Sequence, residues 1–487
     1  MTFTELPDFE KDLIRSLNKS EYDSITDRLK WLSKEEAFEL KGERQQLWEK
    51  LLSLNSKPGY NDTKIDCSDL SAGCRYCAEG TWSCIFINNR CNASCFYCPA
   101  PQKETGIPST NNLTYNNVGD YIDYLDTFGF KGCSISGGEP LLTFDKTLQW
   151  IKAIKKRFGQ NIYLWMYTNG ILIDKKNLSQ MAGAGLDEIR FDIASKNYMI
   201  DKVDMAVDNI PVVTVEIPAI PGDEAKLKKL VDSLRAAGAK HLNLHQLRCT
   251  PYNIQSLANR GFSFIHGPKI LVAHSELTAL RTLLYAKKTA PGLGVNYCSF
   301  VYKNAFQGRA VRMRAADKLV KSYEDLTMAG YIRSFFVKGQ IDDLRKIENV
   351  LLRNGADKSL FSLIPQWNKL CFSLKVSHLI DDDCEVGVDY YSSTLYAEVT
   401  YANYFVQIPV GKSKKVSAER YPVMKGCLLP KTGRFLAKEL PGFENEKDFF
   451  RYFSRMESIP NITTEEKESL IIIKNLEFLR YGLQDYF

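Results

Sequence analysis

The sequence lacks the signals of several common functional classes. It contains no G-x-x-x-x-G-K-[ST] phosphate loop and no G-x-G-x-x-G fingerprint, so nucleotide triphosphatase and dinucleotide-binding functions have no support. No run approaches the ~18 apolar residues of a membrane span, and no basic segment followed by an apolar one opens the sequence. We therefore expect a cytoplasmic protein without a secretory signal and without a membrane partner.

An excess of charge of one sign is also missing. The 487 residues carry 64 Lys and Arg against 58 Asp and Glu, a formal net charge of +6, which is too weak a field to indicate nucleic-acid binding without a local basic patch. Internal repeats and low-complexity tracts are absent. Hydrophobic residues make up 44% and charged residues 25%, which is ordinary globular usage and excludes disorder as the main state.

What the sequence does have is an uneven distribution of cysteine. Seven of its thirteen cysteines fall within 32 residues, at Cys67, Cys74, Cys77, Cys84, Cys91, Cys95 and Cys98. In a reducing compartment, dense cysteines are metal ligands more often than disulfide partners, and the odd total argues against complete pairing. The clustering therefore predicts metal binding.

Downstream of this cluster, short β-rich segments alternate with amphipathic helical patterns. The six candidate strands are residues 84–88, 133–136, 162–168, 188–194, 212–218 and 241–247, and residues 295–300 are a possible extension. Six β/α units in a row predict a parallel sheet with helices outside, and this number suits an open, partial (β/α)6 barrel of the TIM type. Such barrels carry their chemistry at the carboxyl ends of the strands.

The remaining chain divides into smaller regions. Residues 1–60 predict a helical segment, residues 61–83 a Cys-rich metal-binding loop, residues 84–315 the barrel and residues 316–487 a C-terminal α+β domain. Within that last domain the patterns predict helices at 322–338, 342–354 and 464–482, and strands at 370–376, 385–391 and 397–409.

The sharpest motif is a C-x-x-x-C-x-x-C, formed by Cys91, Cys95 and Cys98 directly after the first candidate strand. Three thiolates within eight residues of loop can converge on one iron–sulfur cube, because soft sulfur ligands suit such clusters. A fourth local ligand is missing, which leaves one iron open to another molecule.

This spacing, with the aromatic Tyr97 before the last cysteine, resembles the signature of the radical SAM superfamily. The resemblance implies that the three cysteines hold a [4Fe-4S] cluster whose open iron binds S-adenosylmethionine (SAM). It also implies reductive cleavage of SAM to a 5′-deoxyadenosyl radical that abstracts hydrogen from the substrate, with electrons from an external donor such as flavodoxin or ferredoxin. The protein would then orient the reactants and exclude water and oxygen.

The elements after the next two strands extend the resemblance. Residues 137–140 look like the GGEP element, in which Gly137 and Gly138 allow close backbone approach and Glu139 accepts from the SAM ammonium. Thr168 and Asn169 begin a sequence that looks like the TNG element, a candidate for contact with the SAM ribose.

Polar residues on the later strands complete the predicted site. Arg190 and Asp192 share one face of the fourth strand by its period of two, and Arg190 is a candidate partner for the SAM carboxylate. Glu216 and His245 are expected to face the barrel interior from the fifth and sixth strands, where either is a candidate substrate contact. A hydrogen-bonded core histidine is the alternative interpretation of His245.

Several motifs together indicate a subgroup of the superfamily. GCRYC, CFYCP, GGEPLL, DEIRF, EIPAIPG and VNYCS look like a poorly characterised subgroup related to pyruvate formate-lyase activating enzymes, over residues 66–315. This resemblance favours a peptide or protein substrate. Modification of a tRNA base or a small metabolite, methyl transfer included, stays open, as does a non-catalytic Cys-rich metal-binding scaffold.

The upstream cysteines predict a second metal centre. Cys74 and Cys77 form a C-x2-C pair, with Cys67 and Cys84 each separated from it by six residues. Four thiolates suit an iron–sulfur cluster as well as a single iron or zinc ion. Cys298 is an alternative to Cys84 as the fourth ligand.

Overall fold

The computed structural model describes residues 6, 8–102, 106–412, 414–429, 443, 447–448, 451 and 463–487. These residues fall into two compact units, Met1–Gln307 with Gly482–Phe487, and Gly308–Tyr481. In the described ranges, no helix is both long and apolar enough to cross a membrane.

The first unit holds the barrel and the helices before it. Its helices are α1 (Asp8–Tyr22), α2 (Lys34–Ser53), α3 (Ala72–Glu79), α4 (Val118–Thr127), α5 (Phe144–Phe158), α6 (Lys175–Gly183), α7 (Asp201–Val207), α8 (Glu224–Ala237), α9 (Ile254–Ala258), α10 (Ala273–Thr289) and α11 (Phe300–Tyr302). Its strands are β1 (Lys30–Trp31), β2 (Trp82–Asn88), β3 (Ser109–Thr110), β4 (Leu113–Thr114), β5 (Gly132–Gly137), β6 (Tyr163–Thr168), β7 (Glu188–Phe191), β8 (Val212–Pro218), β9 (His241–His245), β10 (Ser263–Ile265), β11 (Leu271–Val272) and β12 (Gly294–Cys298).

The main sheet of this unit has the order β12-β9-β8-β7-β6-β5-β2-β3-β4. The seven strands from β12 to β2 are parallel to one another, and the path ends at β12 and β4 without closing. The predicted partial barrel is therefore confirmed, with all six candidate strands in place and the possible seventh present as β12. Helices α4 to α8 connect consecutive parallel strands, as β/α units require.

Alternation along the strands separates an apolar layer from a polar one. Residues such as Ile135, Ile189 and Leu244 are fully buried, as expected where helices cover the outside of a parallel sheet. The intervening positions carry polar and charged side chains, most of them buried, that share the other face of the strands. These inward-facing residues are Cys84, Ser134, Glu188, Arg190, Thr214, Glu216, Asn243, His245, Asn296 and Cys298, of which Cys84, Glu216 and His245 are partly exposed.

The short helix α3 packs against that polar face. Ser71 caps its first turn by accepting from the Cys74 amide, and Gly80 ends it in the left-handed conformation. A Cβ added to Gly73 would lie 2.4 Å from Nη2 of Arg190, so this glycine permits the close approach of α3 to the strands. The helix carries the two cysteines of the C-x2-C pair.

The second unit is an antiparallel sheet with helices. It contains α12 (Gly308–Ala316), α13 (Ile341–Arg353), α14 (Thr464–Glu477), β13 (Asp325–Leu326), β14 (Ile332–Lys338), β15 (Phe361–Ile364), β16 (Lys369–Phe372), β17 (Glu385–Tyr396), β18 (Phe405–Val410) and β19 (Lys414–Leu428). The sheet order is β15-β16-β14-β17-β19-β18, and β13 pairs with β14. An α+β architecture is thus present, with helices α13 and α14 where the sequence predicts them.

Two of the predictions for this region are wrong in detail. Residues 322–338 form β13 and β14 instead of a helix, because the β-forming run of β14 pairs on both sides, with β16 and β17, and is buried over most of its length. The strand predicted at 397–409 begins at Phe405, and residues 397–404 contain turns and bends.

Candidate active site

A cavity of about 330 Å³ lies at the carboxyl ends of the parallel strands. Most of the predicted site residues line it together: Cys91, Cys95, Tyr97, Cys98, Gly137, Gly138, Thr168, Asn169, Asp192, Glu216 and His245. This is the location expected for chemistry in a barrel of parallel strands.

The cysteine loop that follows β2 forms one wall of the cavity. The Cys91 amide donates to the Gln102 carbonyl and the Cys98 amide to the Cys95 carbonyl, each at 3.1 Å. All three thiols are partly exposed. Burial, with Asp192 nearby, raises the pKa of the Cys95 thiol to about 12, so that a metal bound there would displace a proton.

The donor set of this loop fits an iron–sulfur cluster. Three soft thiol ligands face one cavity, and the sequence brings no fourth cysteine into the loop. Among the described residues, no three His, Cys, Asp or Glu side chains are grouped closely enough for a single metal ion. Three thiol ligands without a fourth suit an iron–sulfur cluster that keeps one iron open.

Two glycines let the end of β5 touch the start of the cysteine loop. A Cβ on Gly137 would lie 2.0 Å from the Asn88 carbonyl oxygen, and one on Gly138 would lie 2.0 Å from the Arg90 carbonyl oxygen. Gly137 also has a φ of +131°, a backbone angle that residues other than glycine rarely adopt. The backbone of these two glycines therefore lies close to the Asn88 and Arg90 carbonyls at the start of the cysteine loop.

Glu139 ties the second and third strand ends together instead of lining the cavity wall. Its side chain is fully buried, and its oxygens accept from the Leu141 amide at 3.0 Å, the Thr168 hydroxyl at 2.9 Å and the Asn169 amide at 2.8 Å. Burial raises the pKa of this carboxyl. These three contacts lie within the chain, and the expected contact of Glu139 with the SAM ammonium stays a prediction.

Asn169 links Glu139 to the cysteine loop. Its side-chain amide donates to Oδ1 of Asn92 at 2.7 Å and lies 3.7 Å from Sγ of Cys91. Because its backbone amide is held by Glu139, the asparagine side chain has a defined direction. The third strand end thus supports the loop directly.

Arg190 is likewise bonded within the chain, and its expected role as a partner of the SAM carboxylate stays a prediction. Its guanidinium is buried, donating to Glu188 at 2.9 Å, to Glu216 at 2.8 Å and to the Ser71 hydroxyl at 2.9 Å. These bonds occupy all three of its nitrogen atoms, because two carboxylates and the α3 cap surround it. Arg190 therefore lies behind the cavity wall, where it joins the barrel strands to α3.

Asp192 and Tyr97 meet inside the cavity. The tyrosine hydroxyl donates to Oδ1 of Asp192 at 2.9 Å, and the tyrosine carbonyl accepts from Asn253 at 3.0 Å. Burial raises the pKa of Asp192 to about 6. Asn253, which no sequence motif singled out, thus helps to anchor the cysteine loop.

The comparisons with known proteins agree with this geometry. The Radical SAM superfamily pattern matches residues 85–203. A putative glycyl-radical enzyme activating enzyme of Methanocaldococcus jannaschii is 31% identical over 298 residues, which are 58% of this chain and 78% of that protein. The chain belongs to the radical SAM superfamily. Members of this superfamily are enzymes that use a [4Fe-4S] cluster and SAM.

Other radical SAM proteins align with shorter parts of the chain. A GTP 3′,8-cyclase of Sulfurimonas denitrificans is 25% identical over 38% of this chain and 60% of its own length, less than two thirds of that enzyme. Among solved structures, SuiB of Streptococcus suis bound to S-adenosylmethionine shares 13% identity, with a TM-score of 0.36, over 48% of this chain and 56% of its own.

In this radical SAM chain, Glu216 and His245 belong to a row of charged, partly exposed side chains that line the cavity. Nε2 of His245 lies 2.7 Å from Oε1 of Glu216, and its Nδ1 contacts Nζ of Lys303. Burial alone would raise the pKa of Glu216, but His245 and Arg190 outweigh it and hold the pKa well below its usual range. Lys303 also lines the cavity. Its place in the site follows only from its contact with His245 at the end of β9 in the folded structure.

The upstream cysteines separate in space. Cys74 and Cys77 lie on α3, and Cys298 ends β12 on the same side of the sheet. Cys84, near the start of β2, pairs with Ser134 of β5 and faces the barrel interior, beside the Ser134 and Ser136 hydroxyls.

Proposed function

We propose that this radical SAM enzyme cleaves SAM at a [4Fe-4S] cluster held by Cys91, Cys95 and Cys98, and abstracts hydrogen from a peptide or protein. The observation that carries the proposal is the convergence of the three thiols, the GGEP glycines and the TNG turn on one cavity. When bound, the cluster and SAM supply a 5′-deoxyadenosyl radical.

The residues of the chain position and shield the reaction. Glu139 and Asn169 keep the cysteine loop at a constant distance from the strand ends. Tyr97 and Asp192 brace the loop from the other side of the cavity. This support limits movement of the loop, which favours a reproducible orientation of whatever binds there.

Two observations support a peptide or protein as substrate. The relative that shares 78% of its length with this chain is named as an activating enzyme for a glycyl-radical enzyme, which is itself a protein. A second cavity of about 750 Å³ adjoins the first, and both are lined by Ala93, Cys95 and Tyr97. The space beside the cysteine loop is thus large enough for a segment of polypeptide.

The test is an anaerobic assay. The reconstituted protein, given dithionite and SAM, is expected to release 5′-deoxyadenosine, and with a glycyl-radical protein of the same organism it is expected to produce a glycyl radical by electron paramagnetic resonance (EPR). Absence of 5′-deoxyadenosine from the cluster-loaded protein would refute SAM cleavage. If 5′-deoxyadenosine forms but GTP, and no protein, accelerates its release, the substrate assignment is wrong while the SAM chemistry stands.

A further inference from the structure

We propose that Cys67, Cys74, Cys77 and Cys298 hold a second iron–sulfur cluster beside α3. These four residues are called the α3 thiol group below. The proposal concerns a site separate from the cysteine loop and does not depend on the substrate or on SAM cleavage.

The α3 helix aims two of the thiols at the open edge of the barrel. Cys74 and Cys77 are three residues apart and therefore share a face of the helix. The Asn243 side-chain amide donates to Sγ of Cys74 at 3.5 Å, and the Gln307 side-chain amide donates to Sγ of Cys77 at 2.8 Å. Amide donors of this kind stabilise sulfur atoms that carry negative charge and tune iron–sulfur clusters.

Strand β12 brings Cys298 to the same place. Its pairing with β9 sets Cys298 opposite His245 and Asn296 opposite Asn243, so both side chains point towards α3. Cys298 packs in one apolar cluster with Ala78, the residue after Cys77. Cys298, at the end of the last barrel strand, thus lies beside the helix that carries Cys74 and Cys77.

Cys67 approaches from the loop before α3. A Cβ on Gly59 would lie 2.9 Å from its Sγ, so the loop closes tightly around this thiol. The next residue, Tyr60, packs against the apolar cluster that contains Cys298. The loop that closes around Cys67 therefore reaches the cluster that contains Cys298.

A buried cation beside the thiols supplies an independent argument. The Lys64 side chain is only 1% exposed, and its Nζ donates to Oδ1 of Asn296 at 2.6 Å and lies 4.3 Å from the centre of the Tyr302 ring. Among the ion pairs of the described residues, none involves Lys64. A buried ammonium without a carboxylate needs a compensating negative charge, which a cluster with four thiolate ligands provides.

The amide donors to the thiols of Cys74 and Cys77, together with the buried Lys64, fit an iron–sulfur cluster at the α3 thiol group. In the described part of the chain, no three His, Cys, Asp or Glu side chains are grouped closely enough for one metal ion. Cys84 is a weaker candidate for the fourth ligand, because it lies beside the hydroxyls of Ser134 and Ser136.

The experiment removes the first cluster and counts what remains. A variant with Cys91, Cys95 and Cys98 changed to Ala is reconstituted anaerobically with iron and sulfide, and is expected to keep about four irons per chain with matching sulfide. Further change of Cys74 and Cys77 to Ala, or of Cys298 to Ala, is expected to remove this iron. Cys84→Ala in the same background is the matched control and should retain it, with circular dichroism showing that every variant is folded.

Three results would overturn the proposal. If the variant without Cys91, Cys95 and Cys98 binds no iron, no second cluster exists. If it binds one equivalent of zinc instead of iron, the site holds a single ion. Loss of iron from Cys84→Ala together with its retention in Cys298→Ala means that the ligand set is wrong. A further measurement uses Lys64→Met, which should make the reduction potential of the remaining cluster more negative, whereas an unchanged potential would contradict the charge argument.

Discussion

The cysteine loop and the α3 thiol group differ in how the chain assembles them. The loop places Cys91, Cys95 and Cys98 within one short segment, and neighbouring strand ends brace it through Asn169 and Gly138. The α3 thiol group instead needs a loop, a helix and the last barrel strand to meet. A local set of ligands can be recognised from spacing, whereas a set assembled from distant segments depends on strand pairing.

The largest expected difference between the two regions is in SAM cleavage. Changing Cys91, Cys95 and Cys98 to Ala is expected to abolish 5′-deoxyadenosine formation with dithionite, because among the described residues no other thiol lines the cavity. Changing Cys74 and Cys77 to Ala should leave the rate near that of the parent, since dithionite can reduce the first cluster directly. Chromatography of 5′-deoxyadenosine measures both. Equal losses in the two variants would show that the regions are not separable.

Arg190 tests the region around α3. Arg190→Met leaves the buried Glu188 without its cation and Glu216 with His245 alone, so we expect a loss of about 3–5 kcal/mol in the free energy of unfolding, measured with urea. The affinity of the folded variant for SAM should not change, because the guanidinium is occupied behind the cavity wall.

The matched control for this change is Arg157→Met, which removes an exposed ion pair with Asp126 and should cost less than about 1 kcal/mol. A selective loss of SAM binding by Arg190→Met, at unchanged stability, would restore the role that the sequence suggests for this residue.

Glu139 tests the region around the cysteine loop. Glu139→Gln replaces an acceptor oxygen with a donor amide opposite the Thr168 hydroxyl or the Asn169 amide, which disturbs the turn that braces the loop. We expect 5′-deoxyadenosine formation to fall about 10–100-fold, as for other residues that orient metal ligands. Iron bound by the α3 thiol group should be unaffected, as measured in the background without the loop cysteines.

Glu36→Gln is a suitable control for that variant, because Glu36 completes the exposed capping box of α2 and does not line the cavity. A rate for Glu139→Gln equal to that of the control would show that the buried carboxylate does not support the loop.

The sequence predicts the barrel well and the second unit less well. Each parallel strand of the barrel is a short β-forming segment between helical patterns, so local pattern and tertiary environment agree. In β14 the order of apolar residues also fits a helix, and only pairing with β16 and β17 selects the strand. Propensity is overridden there by the two neighbouring strands.

The site shows the same division. The motifs predicted which residues line the cavity. They did not predict that Glu139 and Arg190 form hydrogen bonds to other side chains of the protein. Lys303 and Asn253 lie outside every recognised motif and contact the site because the chain returns to the barrel mouth after β9.

The motifs alone were enough to recognise the superfamily and to predict Cys91, Cys95 and Cys98 as the first ligand set, because three thiols in one loop need only local geometry to converge. Only the tertiary structure decided which distant thiol lies beside α3 and where the charges of the barrel interior are directed. The pairing of β9 with β12 sets Cys298 on the same face as the polar residues of the barrel. The spacing of the cysteines along the chain does not predict that pairing, because the pairing arises from contacts between segments far apart in sequence.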